Sequence, residues 1–188
     1  MRRLVVSEFV TLDGVMQDPG GVGEIERGGW SMPYWHEEIG KVKFDELFAS
    51  DALLLGRVTY EGFAAAWPGQ SDEAGFADRM NGIAKYVVST TLKDPQWNNS
   101  RVIQGNVVEE IAELKRQPGH DILVGGSGQL VQTLMRNNLV DEYRLLVYPI
   151  VLGTGKRLFK DGSYVKLKLV EARSVPSGVA LLRYEPAE

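Results

Sequence analysis

A glycine-rich segment follows a short apolar run in the second half of the sequence. Asp121 to Val124 reads as a strand, and an apolar pattern at helical spacing follows the segment, at Leu130, Val131 and Leu134. Glycines let the chain turn sharply and leave N–H groups pointing outward at a helix start, beside the positive end of the helix dipole. The pattern therefore predicts an anion-binding turn formed by Gly125, Gly126, Ser127, Gly128 and Gln129. The alternative is that these glycines only make a tight corner.

Two other apolar runs also end in small, hydroxyl or basic residues. The run Asp51 to Leu55 is followed by Gly56, Arg57 and Thr59, and the run Lys85 to Val88 by Ser89 and Thr90. The carboxyl ends of parallel strands lie along one edge of a sheet, where ligands bind. Three such turns on one edge suit a dinucleotide, and an arginine guanidinium pairs well with phosphate. Alternatively, Arg57 is an ordinary solvated residue.

The composition indicates one globular domain over residues 1–188. Apolar residues make up 44% of the chain and charged residues 24%, close to the average for soluble domains. No apolar run reaches the ~20 residues that cross a bilayer, so we expect a cytoplasmic protein with no membrane partner. The net charge of -4 offers no basic stripe for nucleic acid. With no cysteine, and with His36 and His120 far apart, no metal site is predicted.

Strands and helices alternate along most of the chain, which predicts a mostly parallel sheet with helices on both faces. A long flexible loop is expected from Gln17 to Ser31, followed by a helix from Pro33 to Phe48 with Ser31 as a possible cap. The last two strands, 165–171 and 179–185, lack a helix between them and form an antiparallel hairpin. The predicted fold is a three-layer α/β domain with a mixed, mostly parallel sheet and an antiparallel C-terminal hairpin.

Five ordered motifs resemble the dihydrofolate-reductase-like superfamily. Within it, the chain is most similar to the branch of the C-terminal reductase domain of the bifunctional riboflavin biosynthesis deaminase-reductase. The resemblance covers almost the whole chain and is carried by Thr11-Leu12-Asp13-Gly14, Leu55-Gly56-Arg57-Val58-Thr59-Tyr60-Glu61, Val88-Ser89-Thr90-Thr91, Val124-Gly125-Gly126-Ser127-Gly128 and Pro149-Ile150-Val151-Leu152-Gly153-Thr154-Gly155.

The resemblance implies an NADPH site and a homodimer. Gly56, Arg57 and Thr59 match a motif whose arginine and threonine meet cofactor phosphates, and Ser89 and Thr90 match a hydroxyl pair near the adenosine 2′-phosphate. The turn from Gly125 to Gly128 matches the glycines beneath the pyrophosphate. Dihydrofolate reductases usually carry a basic residue after these glycines, whereas this chain has Gln129. That departure weakens the expected preference for NADPH over NADH.

The proton donor has two candidates in the sequence. Asp13 matches the Leu-Asp-Gly of the riboflavin-type branch, and Glu38 lies on the predicted first helix, where folate enzymes of this fold place a carboxylate. The alternatives are a turn-forming aspartate and an exposed helix carboxylate. Trp30 and Trp35 are the candidate substrate contacts. The loop before them, with Gly20, Gly21 and Gly23, either covers the site or is only a surface excursion.

The favoured function is an NADPH-dependent reductase that delivers hydride to a C=N or C=O carbon. A pterin, a ribosylaminopyrimidine and an unrelated carbonyl compound all fit as the small-molecule substrate. A nucleotide-binding protein without turnover is the alternative. A Rossmann dehydrogenase is disfavoured by the missing spaced glycine motif. The apolar strand from Tyr143 to Val151, followed by Leu152, Leu158 and Phe159, is a further reason to expect a homodimer. The alternative is that the final hairpin and the helix from Ser127 to Arg136 cover this strand within one chain.

Overall fold

A computed structural model describes residues 1–187 and has one eight-stranded sheet at its centre. The strand order is β4-β3-β2-β5-β1-β6-β8-β7. The strands are β1 (Leu4–Thr11), β2 (Ser50–Gly56), β3 (Ala84–Val88), β4 (Ser100–Ile103), β5 (Asp121–Val124), β6 (Glu142–Tyr148), β7 (Leu167–Ser174) and β8 (Ala180–Pro186). The helices are α1 (Glu37–Ala49), α2 (Arg57–Ala66), α3 (Phe76–Gly82), α4 (Val107–Arg116) and α5 (Gly128–Arg136).

Most neighbouring strands are parallel, and the carboxyl-terminal strands reverse the pattern. The parallel pairs are β4–β3, β3–β2, β2–β5, β5–β1 and β1–β6, whereas β8 is antiparallel to both β6 and β7. The central strands carry short apolar runs, residues 4–6 in β1, 52–55 in β2 and 122–124 in β5, which is typical of strands with helices on both faces. The predicted fold class, with its antiparallel C-terminal hairpin, is confirmed.

Alternate residues of β1 divide the core into two sides. Leu4 and Val6 pack in a cluster with residues of α4 and α5, such as Ile111 and Leu134. On the other side Val5 packs with residues of α1, α2 and α3. A third cluster, on the α1 side, joins α1 to β6 and to the hairpin. The molecule therefore has three layers, α/β/α, with α1 to α3 on one face and α4 and α5 on the other.

Strands β1 and β5 separate before they reach the carboxyl edge of the sheet. They pair from Leu4↔Ile122 to Val6↔Val124, whereas β1 stays paired with β6 as far as Thr11. The connection after β1 crosses the α1 face and the connection after β5 crosses the α5 face. Neighbouring strands whose connections leave on opposite faces open a crevice at their carboxyl ends, where α/β proteins bind ligands.

The first helix begins later than the sequence pattern predicts. Only a 3-10 turn forms over Met32–Tyr34, and Trp35 then takes an extended backbone conformation. His36 caps α1, because its Nδ1 atom accepts the N–H of Glu38. Ser31 makes no side-chain capping bond and instead donates its hydroxyl to the Pro19 carbonyl. The prediction of a continuous helix from Pro33 with Ser31 as its cap was therefore wrong.

The loop from Gln17 to Ser31 is built around Asp18. This residue has a left-handed backbone (φ 54°), and its carboxylate accepts N–H groups from four consecutive loop residues, Val22 to Ile25. Gly28 lies so close to the Asp18 carboxylate that a side chain there would overlap it. The loop has no helix or strand of its own, but Asp18 gives it a defined shape.

The apolar strand that suggested a dimer is covered within the chain. β6 lies between β1 and β8, with Tyr143 and Leu145 packed on the α5 face and Leu146 and Tyr148 on the other. Leu158, after the strand, is also buried. The expectation of a large exposed apolar surface on this strand was wrong, because the final strand β8 and the helices on both faces cover it.

No helix among residues 1–187 is long and apolar enough to span a bilayer. Over the same residues, no three His, Cys, Asp or Glu side chains are grouped closely enough to hold a metal ion.

Candidate active site

The three predicted turns lie side by side at the carboxyl edge of the sheet. β2 is the middle strand, with Gly56 opposite Val88 of β3 and with β5 on its other side. The start of α2, the loop after β3 and the turn into α5 therefore follow three neighbouring strands. The fold brings together the residues predicted for the cofactor, namely Gly56, Arg57, Thr59, Ser89, Thr90, Gly125, Gly126, Ser127, Gly128 and Gln129.

Two helices begin at this edge without a side-chain cap. α2 starts after Gly56 and α5 after Ser127, and neither residue caps its helix with a side-chain hydrogen bond. By contrast, α1 and α4 are capped by His36 and Asn106. Uncapped first-turn N–H groups carry the positive end of the helix dipole and need an acceptor. Two such ends together form a site suited to a pyrophosphate.

Ser127 and Thr59 lock the two helix starts together. The Ser127 hydroxyl accepts the Gly56 N–H at 2.8 Å, and the Thr59 hydroxyl accepts the Ser127 N–H at 3.0 Å. Gly126 and Ser127 both have left-handed backbones, with φ of 61° and 63°. These bonds use the two hydroxyls internally, so they position the turn and leave the helix N–H groups for a ligand.

The glycines keep the turn free of side chains. A Cβ atom on Gly126 would lie 2.9 Å from the Thr59 Oγ1 atom, and one on Gly128 would lie 2.8 Å from the Met16 sulfur. Gly126 therefore allows Thr59 to reach the turn, and Gly128 allows the loop after β1 to reach it. Nothing bulkier than glycine fits the present packing at either position.

The other side chains predicted to bind the cofactor differ in their hydrogen bonds and in their exposure. Arg57 is half-exposed and pairs with Glu61 one helical turn away, at 2.9 and 3.0 Å. The Ser89 hydroxyl accepts the N–H groups of Thr91 and Leu92. Thr90 and Gln129 are exposed at the same edge. Arg57, Thr90 and Gln129 are thus the side chains most accessible to a ligand.

Glu8 is a buried carboxyl directly beside the glycine turn. Its Oε2 atom accepts the Gly126 N–H at 3.0 Å, and its Oε1 atom is buried without a partner. Burial raises the pKa of Glu8 well above its usual value, and the nearby Glu46 adds to the shift, whereas Lys43 and the Gly126 N–H oppose it. Burial without a charged partner therefore favours the neutral form of the Glu8 carboxyl over its ionised form.

Asp13 organises the loop after β1. Its carboxylate accepts the Thr11 hydroxyl at 2.6 Å and the N–H groups of Leu152 and Gly153 at 3.2 and 2.8 Å. The Thr11 hydroxyl is the main cause of a lowered pKa for Asp13, which the two N–H groups lower further. An ionised carboxylate with its oxygens engaged is a poor proton donor. Asp13 therefore has no part in the mechanism proposed below.

The other predicted acid lies on the surface. Glu38, in the first turn of α1, forms an ion pair with Arg173 of β7 at 3.1 Å, and both side chains are more than 40% exposed. β7 is the far edge strand of the sheet, so Glu38 is held away from the β1–β5 crevice. In this fold Glu38 is therefore a surface carboxylate that pairs with Arg173.

The two tryptophans have different environments. Trp30 is 4% exposed, donates its ring N–H to the Gln17 carbonyl and packs edge-on against Tyr148. Trp35 is 60% exposed and lies against Gly40, where a Cβ atom would be 3.0 Å from its ring. Trp30 is a core residue here, whereas Trp35 has the exposed face that a substrate contact needs.

A polar cluster lies where α1 crosses β1. The Lys43 ammonium donates to the Ser7 hydroxyl and to Glu46 Oε2, both at 2.7 Å, and Ser7 donates to the same Glu46 oxygen at 2.8 Å. Ser7 and Glu46 are buried, whereas 24% of the Lys43 side chain is exposed. We refer to Ser7, Lys43 and Glu46 as the α1 cluster.

The sequence matches one protein family along nearly its whole length. The match is to the RibD C-terminal domain and covers residues 2–181. The chain belongs to the RibD C-terminal domain family. A relative, the uncharacterized protein YyaP of Bacillus subtilis (strain 168), is 34% identical over 187 residues, which is 97% of this chain and 94% of YyaP.

Solved structures show that this family member shares its fold with reductases. A pyrimidine reductase-like protein from Corynebacterium diphtheriae has a TM-score of 0.69 at 13% identity. The alignment covers 100% of this chain and 92% of the C. diphtheriae chain. Dihydrofolate reductase from Enterococcus faecalis, complexed with NADP(H) and RAB-propyl, has a TM-score of 0.62 at 14% identity. That alignment covers 99% of this chain and 97% of the reductase chain. The suspected resemblance is confirmed at the level of family and fold.

Sequence patterns missed two polar groups near this edge of the sheet, Glu8 and the α1 cluster. Glu8 interrupts the apolar side of β1, between Val6 and Val10, and a charged residue at such a position is a usable signal. Lys43 and Glu46 are three residues apart and so share a helix face. No sequence pattern near Lys43 and Glu46 indicates that this helix face packs against Ser7.

Proposed function

We propose that this protein is an NADPH-dependent reductase that transfers hydride to a C=N or C=O carbon of a small molecule. The observation that carries the proposal is the pair of uncapped helix starts, α2 and α5, at the carboxyl ends of β2 and β5. Membership of the RibD C-terminal domain family supports a reductase. The dihydrofolate reductase with the same fold was solved with NADP(H) bound.

The residues at the rim fit a dinucleotide. The first N–H groups of α2 and α5 would hold the pyrophosphate, with Gly126 and Gly128 permitting its close approach. Ser89 and Thr90 would lie toward the adenosine 2′-phosphate, together with Arg57. When bound, the dihydronicotinamide supplies the hydride. The protein contributes the position of the reacting groups, the exclusion of water and a proton for the acceptor.

Arg57 has to exchange partners to bind a phosphate. Its present pair with Glu61 joins two half-exposed side chains, and pairs of this kind contribute about 0–1 kcal/mol. A guanidinium–phosphate contact is stronger because both groups are charged and the contact can be bidentate. The exchange is therefore favourable, and it makes Arg57 the residue most sensitive to the cofactor's charge.

Arg57→Ala is expected to weaken NADPH binding by about tenfold and NADH binding by clearly less, because the 2′-phosphate distinguishes the two cofactors. Quenching of tryptophan fluorescence during titration with each cofactor measures both affinities. Arg116→Ala is the matched control, because Arg116 forms the same kind of surface pair, with Glu113, on α4. Equal losses for both cofactors would contradict a 2′-phosphate contact, and no response of the folded wild type to either cofactor would end the reductase proposal.

Cofactor binding without turnover is the alternative function. It is favoured by the contacts of the two predicted acids, because the Asp13 carboxylate is held by hydrogen bonds from its own loop and Glu38 forms a surface ion pair with Arg173. NADPH oxidation in the presence of pterins, aminopyrimidine sugars and simple carbonyl compounds distinguishes the two functions. A reductase oxidises NADPH faster with at least one class of compound than in buffer alone.

We also propose that the protein acts in the cytoplasm as a homodimer. The dimer is supported by the family resemblance and by exposed apolar side chains on the edge strand β7, Leu169 and Val170. An exposed edge strand is usually protected or paired. Light scattering coupled to size exclusion is expected to give about twice the 20.9 kDa mass of one chain. A mass equal to one chain at micromolar concentration would contradict the dimer.

A further inference from the structure

Lys43 is the one partly exposed member of the α1 cluster. Glu46 Oε2 accepts hydrogen bonds from both Ser7 and Lys43, and Glu46 Oε1 is buried 3.8 Å from a guanidinium nitrogen of Arg144. Both carboxylate oxygens therefore face groups of the protein itself. Lys43 is the member of the cluster with a partly exposed side chain, at 24%, whereas Ser7 and Glu46 are buried.

The cluster lies at the same gap in the sheet as the glycine turn. Ser7 is the first residue of β1 beyond the last β1–β5 pair, Val6↔Val124. A Cβ atom on Gly125 would be 4.0 Å from the Ser7 carbonyl oxygen. The Lys43 ammonium lies 5.5 Å from the centroid of the Phe9 ring, two residues further toward the carboxyl end of β1. The ammonium therefore lies on the α1 face of β1 beside Ser7 and Phe9, at the level where β1 is no longer paired with β5.

We propose that Lys43 is the proton donor to the substrate and that the substrate is a carbonyl compound with a negative charge near the carbonyl group. This inference rests on the proposed function. The carboxyl group at this gap, Glu8, is buried and accepts the Gly126 N–H, so the charged group on the α1 side of the gap is the Lys43 ammonium. An ammonium attracts an anionic group and stabilises negative charge that develops on a carbonyl oxygen.

The proposed step balances with NADPH as the reductant. The carbonyl carbon accepts a hydride from the dihydronicotinamide, and the C=O π electrons move onto oxygen. That oxygen takes a proton from the Lys43 ammonium, which gives an alcohol, NADP⁺ and a neutral amine. Lys43 regains its proton from solvent at its exposed side. Ser7 and Glu46 are positioning residues, because they hold the lysine nitrogen at 2.7 Å and are themselves buried.

Ligand binding to the NADP⁺ complex tests the proposal without requiring turnover. The probes are two 2-oxo acids of different size, glyoxylate and phenylpyruvate, and the pteridine methotrexate, each titrated by calorimetry. At least one 2-oxo acid is expected to bind the wild type more tightly than methotrexate does. Lys43→Met is expected to lower the affinity for that 2-oxo acid by about tenfold or more. Lys43→Arg keeps the charge and is expected to lower the same affinity by no more than about threefold.

The variants separate this proposal from the proposed function. The hydrogen bonds of the Lys43 ammonium go to Ser7 and Glu46 and not to the starts of α2 and α5, which are proposed to hold phosphate, so NADP⁺ affinity is expected to be unchanged in both variants. Failure of NADP⁺ to bind the wild type defeats the reductase proposal. Three results with NADP⁺ bound overturn the role of Lys43: tighter binding of methotrexate than of both 2-oxo acids, no binding of either 2-oxo acid, or equal affinity in the wild type and Lys43→Met. Thermal unfolding shows whether Lys43→Met remains folded, and Lys43→Arg keeps the test decisive where it does not.

Discussion

Gly126→Ala is expected to lower NADPH affinity by about tenfold or more and to destabilise the fold by about 1–3 kcal/mol. The new methyl group would lie 2.9 Å from Thr59 Oγ1 and 3.0 Å from Thr59 Cγ2. Thr59 would have to move, and its hydrogen bond to the Ser127 N–H would lengthen or break. The turn would then no longer hold the first N–H groups of α5 beside those of α2. Cofactor titration and urea unfolding measure the two effects.

Gly69→Ala separates the steric effect from the backbone effect. Gly69 has φ of +80°, and no atom lies within 4 Å of a Cβ placed there. An alanine at Gly69 therefore suffers only the cost of a left-handed backbone, about 1–2 kcal/mol. It is expected to leave NADPH affinity unchanged. Unchanged affinity in Gly126→Ala as well would show that the cofactor does not use this turn.

The meeting of the three turns at one edge of the sheet could be predicted from sequence because its signals are local. Each part is a strand followed directly by small or hydroxyl residues, as at Gly56 and Ser89, and parallel strands necessarily end at the same edge. The sheet topology then fixes which ends are neighbours. The left-handed backbone of Ser127 is less predictable, because serine has no general preference for that region.

The acid residues could not be assigned because their surroundings are formed by distant parts of the chain. Asp13 is engaged by Leu152 and Gly153, and Glu38 by Arg173, each more than 130 residues away. Helical periodicity places Glu38 on one side of α1 but does not show which strand that side meets. The start of α1 at Glu37 rather than at Pro33 changed the environment of that turn further.

Lys85 shows how a buried strand hides a polar group. The sequence predicts this strand as apolar, yet the Lys85 ammonium is buried and donates to the carbonyl oxygens of Asn81, Ile83 and Asn98 at 2.8–3.0 Å. Burial lowers the pKa of Lys85 to about 8. The three carbonyl groups come from the carboxyl end of α3 and from the loop before β4. Composition and periodicity along the sequence therefore do not predict this site.

Glu8→Gln is expected to become more stable relative to the wild type as the pH rises. Burial is the main cause of the raised pKa of Glu8 in the folded protein. In the unfolded chain the same carboxyl loses its proton near pH 4.5, so the folded state binds more protons above that pH. The stability of the wild type is therefore greatest below the unfolded pKa and is lost as the pH rises toward the folded pKa.

Glutamine has nearly the same shape, accepts the Gly126 N–H through its carbonyl oxygen and does not titrate. Urea unfolding between about pH 5 and pH 8 is expected to show the difference between Glu8→Gln and the wild type changing by up to about 1.4 kcal/mol per pH unit in favour of the variant. Glu38→Gln is the control, because Glu38 is exposed and paired only with Arg173 at the surface. A difference for Glu8→Gln that stays constant with pH would mean that Glu8 is ionised in the folded protein. A negative charge would then lie directly beneath the turn proposed to bind pyrophosphate, so the same measurement also tests whether that turn suits an anion.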